Sequence, residues 1–443
     1  MSAPKVIIAG CGVAGPALGV VLKLQGYDPV IYERTDGPSE LGLSLCLQPN
    51  GLRVLSLIPG LVDLIPRKRL RQLAFYSMLP GHERELARSN APAVLHALSG
   101  GFGMEGVRRP LFLQALIDAA QAHGIPILFG HQLVAVDGHE GTDAERVVVR
   151  FANGHTDEAS FVVGCDGLHS NTRACLFGKE AAMFTGLTQT GGISPIPEAF
   201  SALGPSMVNI YGDGVHMIAY QINDEQISWA ITQREAEERE TWRDMDVDRQ
   251  RAFKESAFSQ IPFGGGELVK TASRVIKFGL YDRPELKSWH KGRVVLIGDA
   301  AHPTSPVRLF FSALFASADD PPQTHQHLGQ GANQAFEDIY HLARLLKKYN
   351  PGAQAPSAAL LDTVFTELEQ LRIPRTSALV TKARAAGNTR VVSGANMCLA
   401  RDEVVRETWR GKEDLLGDDH AELVKTLYVD IFSEPFEAGK SEI

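Results

Sequence analysis

The sequence predicts an α/β fold, in which a parallel-sheet domain is joined to a second domain with an antiparallel sheet and is followed by a helical C-terminal region. Near the N-terminus, a buried strand, a helix and a second strand follow one another: Lys5–Ala9, Ala14–Gln25 and Pro29–Tyr32. Between about residues 185 and 280, short strands alternate with Gly-, Asn- and Asp-containing turns, a pattern typical of an antiparallel sheet. From about residue 331 the apolar spacing is helical to near the C-terminus.

Size and charge limit the class of protein. The chain has 443 residues, 44% hydrophobic and 22% charged, as in globular proteins of two or three domains. Its 44 basic and 52 acidic residues give a net charge of −8, and no Lys/Arg-dense run occurs. This balance argues against nucleic acid or an anionic membrane surface as a partner.

The cysteines and the apolar N-terminal stretch indicate a cytoplasmic protein. The five cysteines are scattered without CxxC spacing, so we expect free thiols rather than a disulfide framework. The uncharged stretch Val6–Leu22 is shorter than a membrane span, and Pro16 and four glycines interrupt it. We therefore expect no stable membrane span; the oligomeric state is not predicted.

Each domain contains further predicted elements. We predict a helix from Arg109, a strand at Ile125–Phe129, a hairpin of Val147–Phe151 and Ala159–Val163 about the turn Asn153-Gly154, antiparallel strands at Met207–Tyr211, Val215–Ile222 and Gln226–Thr232, a charged helix over about Arg234–Ser259, and a buried strand at Val294–Ile297. The charges of the long helix are interpreted as a solvated face.

The first turn of the chain carries a nucleotide-binding pattern. Gly10, Gly12 and Gly15 form a G-x-G-x-x-G between the first strand and the first helix. Glycines at this spacing allow a tight turn, close approach of a pyrophosphate and close helix–strand packing, while the helix N-terminus attracts the anion. Glu33 ends the second strand, where a carboxylate accepts hydrogen bonds from a ribose. This unit predicts a Rossmann-like dinucleotide site and leaves FAD and NAD as alternatives.

Two later strands each end on an aspartate. Asp166 and Gly167 follow Phe161–Cys165, and Asp299 lies in the segment Gly292–Pro303. With the glycine-rich turn, these motifs resemble the FAD-dependent aromatic-ring monooxygenases, the single-component group that includes salicylate hydroxylase and kynurenine 3-monooxygenase. The resemblance covers about residues 5–390. It implies bound FAD and NAD(P)H as a transient cosubstrate, with Asp299 at the ribityl or pyrophosphate region and Asp166-Gly167 serving both nucleotides.

Other positions match the family's cofactor contacts less specifically. Arg109 matches an FAD-contacting arginine, although a surface ion pair is the alternative. Arg34 and Cys46 also fall at FAD-contacting positions, where a solvent-exposed arginine and a small core residue are the alternatives. The segment Gly329-Gln330-Gly331-Ala332 resembles the one that faces the flavin ring, and N–H groups at a helix start stabilise an anion there. For Asp299, the alternative is a helix N-cap.

The family resemblance is interrupted by an anomalous insertion at 307–326. Removing these twenty residues would join Pro306 to His327 and restore a continuous family-like motif. We interpret the insertion as a retained short intron in preference to a genuine active-site lid, because a long structureless insertion in a compact domain is unusual. His325 and His327 have no supporting Cys/His set, so no metal site is predicted.

The resemblance also implies domain limits and a reaction. The discontinuous FAD-binding domain takes 1–70, 100–184 and 278–345, the substrate-binding sheet domain 71–99 and 185–277, and the helical region 346–443. NAD(P)H would reduce FAD, O2 would form a flavin C4a-hydroperoxide, and one oxygen atom would enter an electron-rich aromatic or unsaturated small molecule. If a phenol must lose its proton, His216 or Tyr220 is a candidate; simple packing in the sheet is the alternative.

Three other functions stay open on the sequence. A flavin-dependent halogenase would usually carry W-x-W-x-I-P, which is absent. A nicotinamide-only dehydrogenase would explain the glycine-rich turn but not Asp166 and Asp299. A non-catalytic FAD-binding or regulatory protein is the third alternative, especially if the insertion is genuine and disables the site.

Overall fold

A computed structural model describes residues 3–40, 42–138, 145–236, 243–303, 330–416, 420–437 and 440–443. The insertion at 307–326 and Gly329 lie outside these residues, so the interpretation of the insertion stays a prediction.

The strands are β1 (Lys5–Ala9), β2 (Asp28–Tyr32), β3 (Ser44–Leu47), β4 (Arg67–Arg69), β5 (Gln72–Ser77), β6 (Arg84–Ser89), β7 (Glu105–Arg108), β8 (Ile127–Leu128), β9 (Leu133–Asp137), β10 (Val147–Phe151), β11 (Thr156–Ala159), β12 (Phe161–Gly164), β13 (Met183–Pro195), β14 (Ser206–Tyr211), β15 (Val215–Gln221), β16 (Gln226–Arg234), β17 (Arg243–Asp244), β18 (Arg274–Asp282), β19 (His290–Lys291) and β20 (Val294–Leu296). The helices are α1 (Ala14–Leu24), α2 (Pro49–Leu55), α3 (Leu61–Leu64), α4 (Ala91–Leu98), α5 (Arg109–Ala122), α6 (Asn171–Phe177), α7 (Glu198–Leu203), α8 (Val247–Glu255), α9 (Gly265–Thr271), α10 (Gln330–Tyr349), α11 (Ala358–Arg390), α12 (Ala395–Trp409), α13 (Ala421–Leu427) and α14 (Val429–Phe432). Short 3₁₀ turns occupy Ala257–Gln260 and Gly298–Ala300.

The first domain is built on a mainly parallel sheet, as predicted. Among the described residues, six strands form it in the order β19-β20-β12-β1-β2-β8, with β19 antiparallel at the edge. Helices α1, α5, α10 and α11 pack on one face, and the small antiparallel sheet of β9, β10 and β11 packs on the other. Because β1, β2, β12 and β20 run the same way, the turns that follow their carboxyl ends meet at one edge.

The second domain contains the predicted antiparallel sheet. Within the described ranges, eight strands form it in the order β17-β18-β13-β16-β15-β14-β5-β6, and β14 with β5 is a parallel pair. The strands come from two parts of the chain, 72–89 and 183–282, which are separated by part of the first domain. Cluster residues from α12, α13 and α14 pack with residues of β5, β14 and β15, so the C-terminal helices cover this sheet.

Two local predictions needed correction. The predicted helix over Arg234–Ser259 is wrong at its start, because Arg234 pairs with Leu187 as the last residue of β16 and β17 adds to the sheet edge. Among the residues of this range that the structure describes, α8 is the α-helix and Ala257–Gln260 forms a 3₁₀ turn. None of the residues of α8 is buried, which agrees with a solvated face. The predicted strand Ala159–Val163 divides at Ser160, whose N–H donates to Lys5 O where the chain passes from the small sheet to the parallel sheet.

No helix in the part of the chain that the structure describes is both long and apolar enough to cross a membrane.

Candidate active site

A cavity of about 210 Å³ opens at the carboxyl edge of the parallel sheet. Its lining includes Arg109 and four segments that follow strands or lie beside them: Ala9–Gly12, Tyr32–Thr35, His131–Leu133 and Cys165–Gly167. Gly10, Gly12, Glu33, Arg34, Arg109, Asp166 and Gly167, all predicted from the sequence, therefore line one cavity.

The glycine-rich turn is shaped for an anion. Gly10 has a φ of +108°, and a Cβ there would lie 2.6 Å from Cys165 O. A Cβ on Gly15 would lie 2.0 Å from Gly10 O, so this glycine permits close packing of helix and turn. A Cβ on Gly12 would meet no atom within 4 Å, so its backbone faces open space. No side chain caps the start of α1 and its first turn has no acidic residue among those described, which leaves helix N–H groups for a diphosphate.

Glu33 connects the second strand to this turn. Its Oε2 accepts the Cys11 N–H at 2.7 Å, and its Oε1 accepts the Thr35 N–H and hydroxyl at 3.0 and 3.1 Å. A carboxylate has about four acceptor positions, so one position stays available for a ribose hydroxyl. The neighbouring Arg34 is exposed at the rim.

Arg109 and Asp299 approach each other from different elements. Burial lowers the pKa of Arg109, whereas the charge of Asp299 raises it. Crowding by protein atoms raises the pKa of Asp299, and the charges of His302 and Arg109 lower it. Asp299 is nevertheless exposed, so its side chain is accessible to a ligand. It does not cap a helix, since Ile297 holds the cap position of the 3₁₀ turn and provides no side-chain bond.

The carboxylate of Asp166 has structural partners. It accepts hydrogen bonds from the Ser170 hydroxyl, the Thr172 N–H and the Thr172 hydroxyl, and thereby holds the start of α6. Burial raises the pKa of Asp166, and these hydrogen bonds lower it. Gly167, with a φ of +76° and open space at the Cβ position, is the better placed of the two for a close nucleotide contact, which stays a prediction.

A buried charge cluster lies behind the Gly298–Ala300 turn. Arg372 of α11 donates from Nε to Asp338 at 2.7 Å and from Nη1 to Glu337 at 2.5 Å, and all three side chains are fully buried. Asp338 Oδ2 also accepts a hydrogen bond from the Gly298 N–H at 2.8 Å. His302 Nε2 lies 2.6 Å from the same oxygen. The cluster therefore attaches the turn that contains Asp299 to helices α10 and α11.

The same cluster reaches the start of α10. Although burial favours protonation, the charges of Arg372 and Arg375 hold the pKa of Glu337 at about 2. Glu337 also accepts from the Asn50 amide at 2.7 Å. Asn333 links α10 to the end of β3, where its Oδ1 accepts the Gln48 N–H and its Nδ2 donates to Cys46 O at 3.1 Å.

Gly331 and Ala332, predicted to face the flavin, lie half-buried in the first turn of α10. Cys46 is buried at 2% exposure, and its carbonyl holds Asn333. Its thiol is not part of the cavity lining described above.

The inner face of the second sheet carries the two predicted proton-handling residues. Tyr220 OH lies 2.7 Å from Ser44 Oγ, and Ser44 donates to Ser228 Oγ at 2.7 Å. Because Ser44 belongs to β3, this chain of hydroxyls joins the two domains. Burial raises the pKa of Tyr220, so its phenol stays protonated.

His216 lies on the same strand, with Nε2 3.0 Å from Asn209 Oδ1. Burial, together with the charges of Arg390 and Arg401, holds the pKa of His216 well below its usual range. The neutral imidazole is therefore favoured, which makes His216 a poor proton acceptor.

Sequence reasoning missed Ser44, Arg372 and the Asn333 links. A signal existed for Arg372: Glu337 and Asp338 lie among apolar residues at helical spacing, and buried carboxylates need a cation. No local signal pointed to Ser44, because its partners are 176 and 184 residues away.

The cavity and the open space at the glycine-rich turn are compatible with a bound dinucleotide. The molecule is thus a two-domain nucleotide-dependent protein with a second sheet set against the binding edge. Residues 3–308 match the FAD binding domain family, so the chain belongs to this family. It is an FAD-dependent aromatic monooxygenase.

Curated relatives cover most of the chain. It is 28% identical over 362 residues to 6-hydroxynicotinate 3-monooxygenase of Bordetella bronchiseptica, covering 80% of this chain and 85% of that protein. It is 28% identical over 406 residues to 3-amino-4-hydroxybenzoate 2-monooxygenase of Streptomyces cremeus, with 91% and 92% covered. It is 26% identical to 6-methylsalicylate 1-monooxygenase of Aspergillus terreus, with 99% and 94% covered.

A solved structure has the same fold. Klebsiella pneumoniae HpxO, complexed with FAD and uric acid, superposes with a TM-score of 0.74 at 20% identity, covering 98% of this chain and 97% of that one.

Two glycines allow the nucleotide site to be tested separately from the fold. We expect Gly12→Ala to weaken FAD binding by about tenfold or more, because its methyl group enters the space for the diphosphate, while apoprotein stability changes little. Gly15→Ala should weaken binding and also lower the free energy of unfolding by about 1–3 kcal/mol, because its methyl group meets the Gly10 backbone. FAD fluorescence titration and thermal unfolding of the apoprotein measure both effects. Equal destabilisation by the two variants would contradict this assignment.

Arg372 tests the buried charge cluster. Arg372→Met leaves two carboxylates without their main cation and should cost about 3–5 kcal/mol of stability at pH 7. Because the pKa of Glu337 is lowered in the folded protein, its contribution is present above about pH 4.5 and is lost as the pH falls toward 2. The variant's deficit should therefore shrink as the pH falls from 5 to 3, as measured by denaturant unfolding. Arg406→Met, at an exposed ion pair, is the matched control and should change stability by less than about 1 kcal/mol. A deficit that does not change with pH would contradict the argument.

Proposed function

We propose that this enzyme uses NAD(P)H and O2 to hydroxylate a single-ring aromatic acid that carries an electron-donating group. The observation that carries the proposal is the Tyr220–Ser44–Ser228 chain, which places a polar sheet face against the domain that binds FAD. The overall reaction consumes NAD(P)H, a proton and O2, places one oxygen atom on the ring and releases the other as water.

The substrate class is supported by the relatives. The three curated relatives are named for hydroxynicotinate, aminohydroxybenzoate and methylsalicylate. Each of these names denotes one ring with a carboxylate and an electron-donating group. Uric acid, with which HpxO is complexed, is likewise a small electron-rich ring compound.

When bound, FAD would supply the redox chemistry, namely hydride acceptance from NAD(P)H and activation of O2. The chain's own residues bind and orient the cofactor: Gly12 and α1 hold the diphosphate, and Arg109 with Asp299 hold the linker. Backbone N–H groups in the first turn of α10 would stabilise negative charge on the flavin ring.

The second sheet positions the substrate and keeps water out. Tyr220, protonated throughout the neutral range, donates its single proton to Ser44, and its oxygen can accept a hydrogen bond from the hydroxyl of a phenolic substrate. Neutral His216 acts as a hydrogen-bonding side chain. A halogenase is not favoured, because the relatives are monooxygenases and the W-x-W-x-I-P motif is absent.

The reaction is tested by screening aromatic acids for stimulation of NADPH and NADH oxidation by the FAD-loaded enzyme. We expect at least one acid to stimulate consumption and to yield a product that gains one oxygen atom from ¹⁸O2, as measured by mass spectrometry. Oxidation that no aromatic compound stimulates, with peroxide as the only product, would contradict the proposal. Chloride-dependent halogenated product would revive the halogenase alternative.

Tyr220→Phe tests the hydroxyl chain. Loss of the phenol should lower kcat for a phenolic substrate by about tenfold or more, without changing FAD affinity. Because the pKa of Tyr220 is raised, its ionisation should add no inflection between pH 6 and 9, so the variant's pH profile should keep the wild-type shape. Tyr27→Phe, a buried tyrosine bonded to Asn350, is the matched control. An unchanged kcat in Tyr220→Phe would remove Tyr220 from the mechanism.

A further inference from the structure

The cavity at the edge of the parallel sheet extends past Glu33, on the side away from the glycine-rich turn. Glu33 bonds that turn through Oε2 and Thr35 through Oε1, so Thr35 lies on its far side. There the cavity wall continues with His131 and Gln132. A carboxylate at the position of Glu33 bonds the ribose of a dinucleotide. Because the base is attached to the ribose on the side away from the diphosphate, this part of the cavity is the one that faces the adenine of FAD.

The segment that carries His131 is fixed to β2 and to the small sheet. His131 N–H donates to Glu33 O at 2.7 Å. The next residue, Gln132, accepts the Ala152 N–H at its carbonyl oxygen at 2.8 Å. These hydrogen bonds hold the backbone of His131 at a set position relative to the carboxylate that bonds the ribose.

The side chain of His131 packs against three aromatic rings. Its ring centroid lies 5.3 Å from that of Tyr32, and it makes edge-to-face contacts with Phe151 at 5.4 Å and with His155 at 5.2 Å. The rings of Tyr32 and Phe151 lie 4.2 Å apart, and the Tyr32 hydroxyl donates to Asp157 at 2.6 Å. Packing of this kind restricts the orientation of the imidazole.

Hydrogen bonding assigns a role to each nitrogen of this imidazole. His131 Nδ1 lies 2.7 Å from Phe129 O, and a carbonyl oxygen only accepts, so Nδ1 carries the proton. In the neutral ring Nε2 is then an acceptor. No residue in the described part of the chain donates to this Nε2, and the side chain is half-buried in the cavity wall. A partly buried acceptor without a donor favours a ligand that supplies an N–H group.

We propose that His131 selects the adenine of FAD by accepting a hydrogen bond from the exocyclic amino group of the base at Nε2. Of the groups that adenine presents at its edge, only this amino group is a donor. The aromatic rings behind His131 hold the imidazole in place for this bond. The assignment concerns recognition of the cofactor and does not depend on which compound is hydroxylated.

The assignment is tested with FAD and an FAD analogue that carries unsubstituted purine in place of adenine and therefore lacks the amino group. The full-length chain, freed of FAD, is titrated with each compound, and flavin fluorescence is the readout. The wild type should bind FAD roughly 5- to 20-fold more tightly than the analogue, as expected for one partly buried hydrogen bond.

Two amide variants of His131 separate its two nitrogens. His131→Asn can keep the bond to Phe129 O but has no acceptor at the position of Nε2, so its preference for FAD should fall below about twofold. His131→Gln, whose longer side chain can place an oxygen near that position, should keep part of the preference. Equal binding of FAD and the analogue by the wild type, or an undiminished preference in His131→Asn, would overturn the assignment.

A neighbouring histidine provides the matched control. His155 belongs to the same group of rings but is not part of the cavity lining described above, so His155→Asn should leave the preference unchanged. Loss of the preference in His155→Asn as well would assign the effect to packing of the rings and contradict a direct bond. Thermal unfolding identifies a misfolded His131→Asn chain, in which case His131→Phe, which keeps a ring in the group, takes its place.

FMN, which lacks the adenosine, separates base recognition from damage to the rest of the site. The His131 variants should bind FMN as the wild type does. Weakening of FMN and FAD binding by the same factor would contradict the assignment. A preference for FAD that depends on His131, in an enzyme whose NADPH oxidation no aromatic acid stimulates, would support this assignment and contradict the proposed reaction.

Discussion

The pairing of Arg372 with Glu337 and Asp338 is the constraint on which the rest of the site depends. Removing three charged side chains from water is costly. They are stable in the interior because each forms an ion pair and further hydrogen bonds. Through Gly298 and His302 the cluster fixes the turn that carries Asp299, and through Asn50 it reaches α2. Segments distant in the sequence are thereby held at one edge of the sheet.

The residues of the candidate cofactor site are held together by two kinds of structure. The parallel sheet brings Gly12, Glu33 and Gly167 together through backbone geometry alone, whereas Arg109 and Asp299 need elements outside the first βαβ unit. The hydrogen bond between Tyr220 and Ser44 joins the second sheet to the first domain. Cofactor binding and substrate positioning consequently share a single structural support.

The parts of the fold that depend on local backbone geometry were predictable. Gly10 and Gly15 were identified because a turn and a close contact require them, and the structure gives both the expected surroundings. The helix predicted from Arg234 was wrong because pairing with β13 outweighs the helical pattern of charges. Arg372 could not be paired from the sequence, since its partners lie 34 and 35 residues away on another helix. Asp299 and Arg109 were predicted as FAD contacts from the family resemblance, because their spacing in the sequence does not indicate a shared site.

The most direct measurement is an experimental structure of the chain with FAD bound. We expect the diphosphate within hydrogen-bonding distance of the N–H groups at the start of α1, the ribityl chain between Arg109 and Asp299, and the ring between the first turn of α10 and the face that bears Tyr220. A flavin bound elsewhere, or a folded protein that fails to bind FAD at all, would contradict this account.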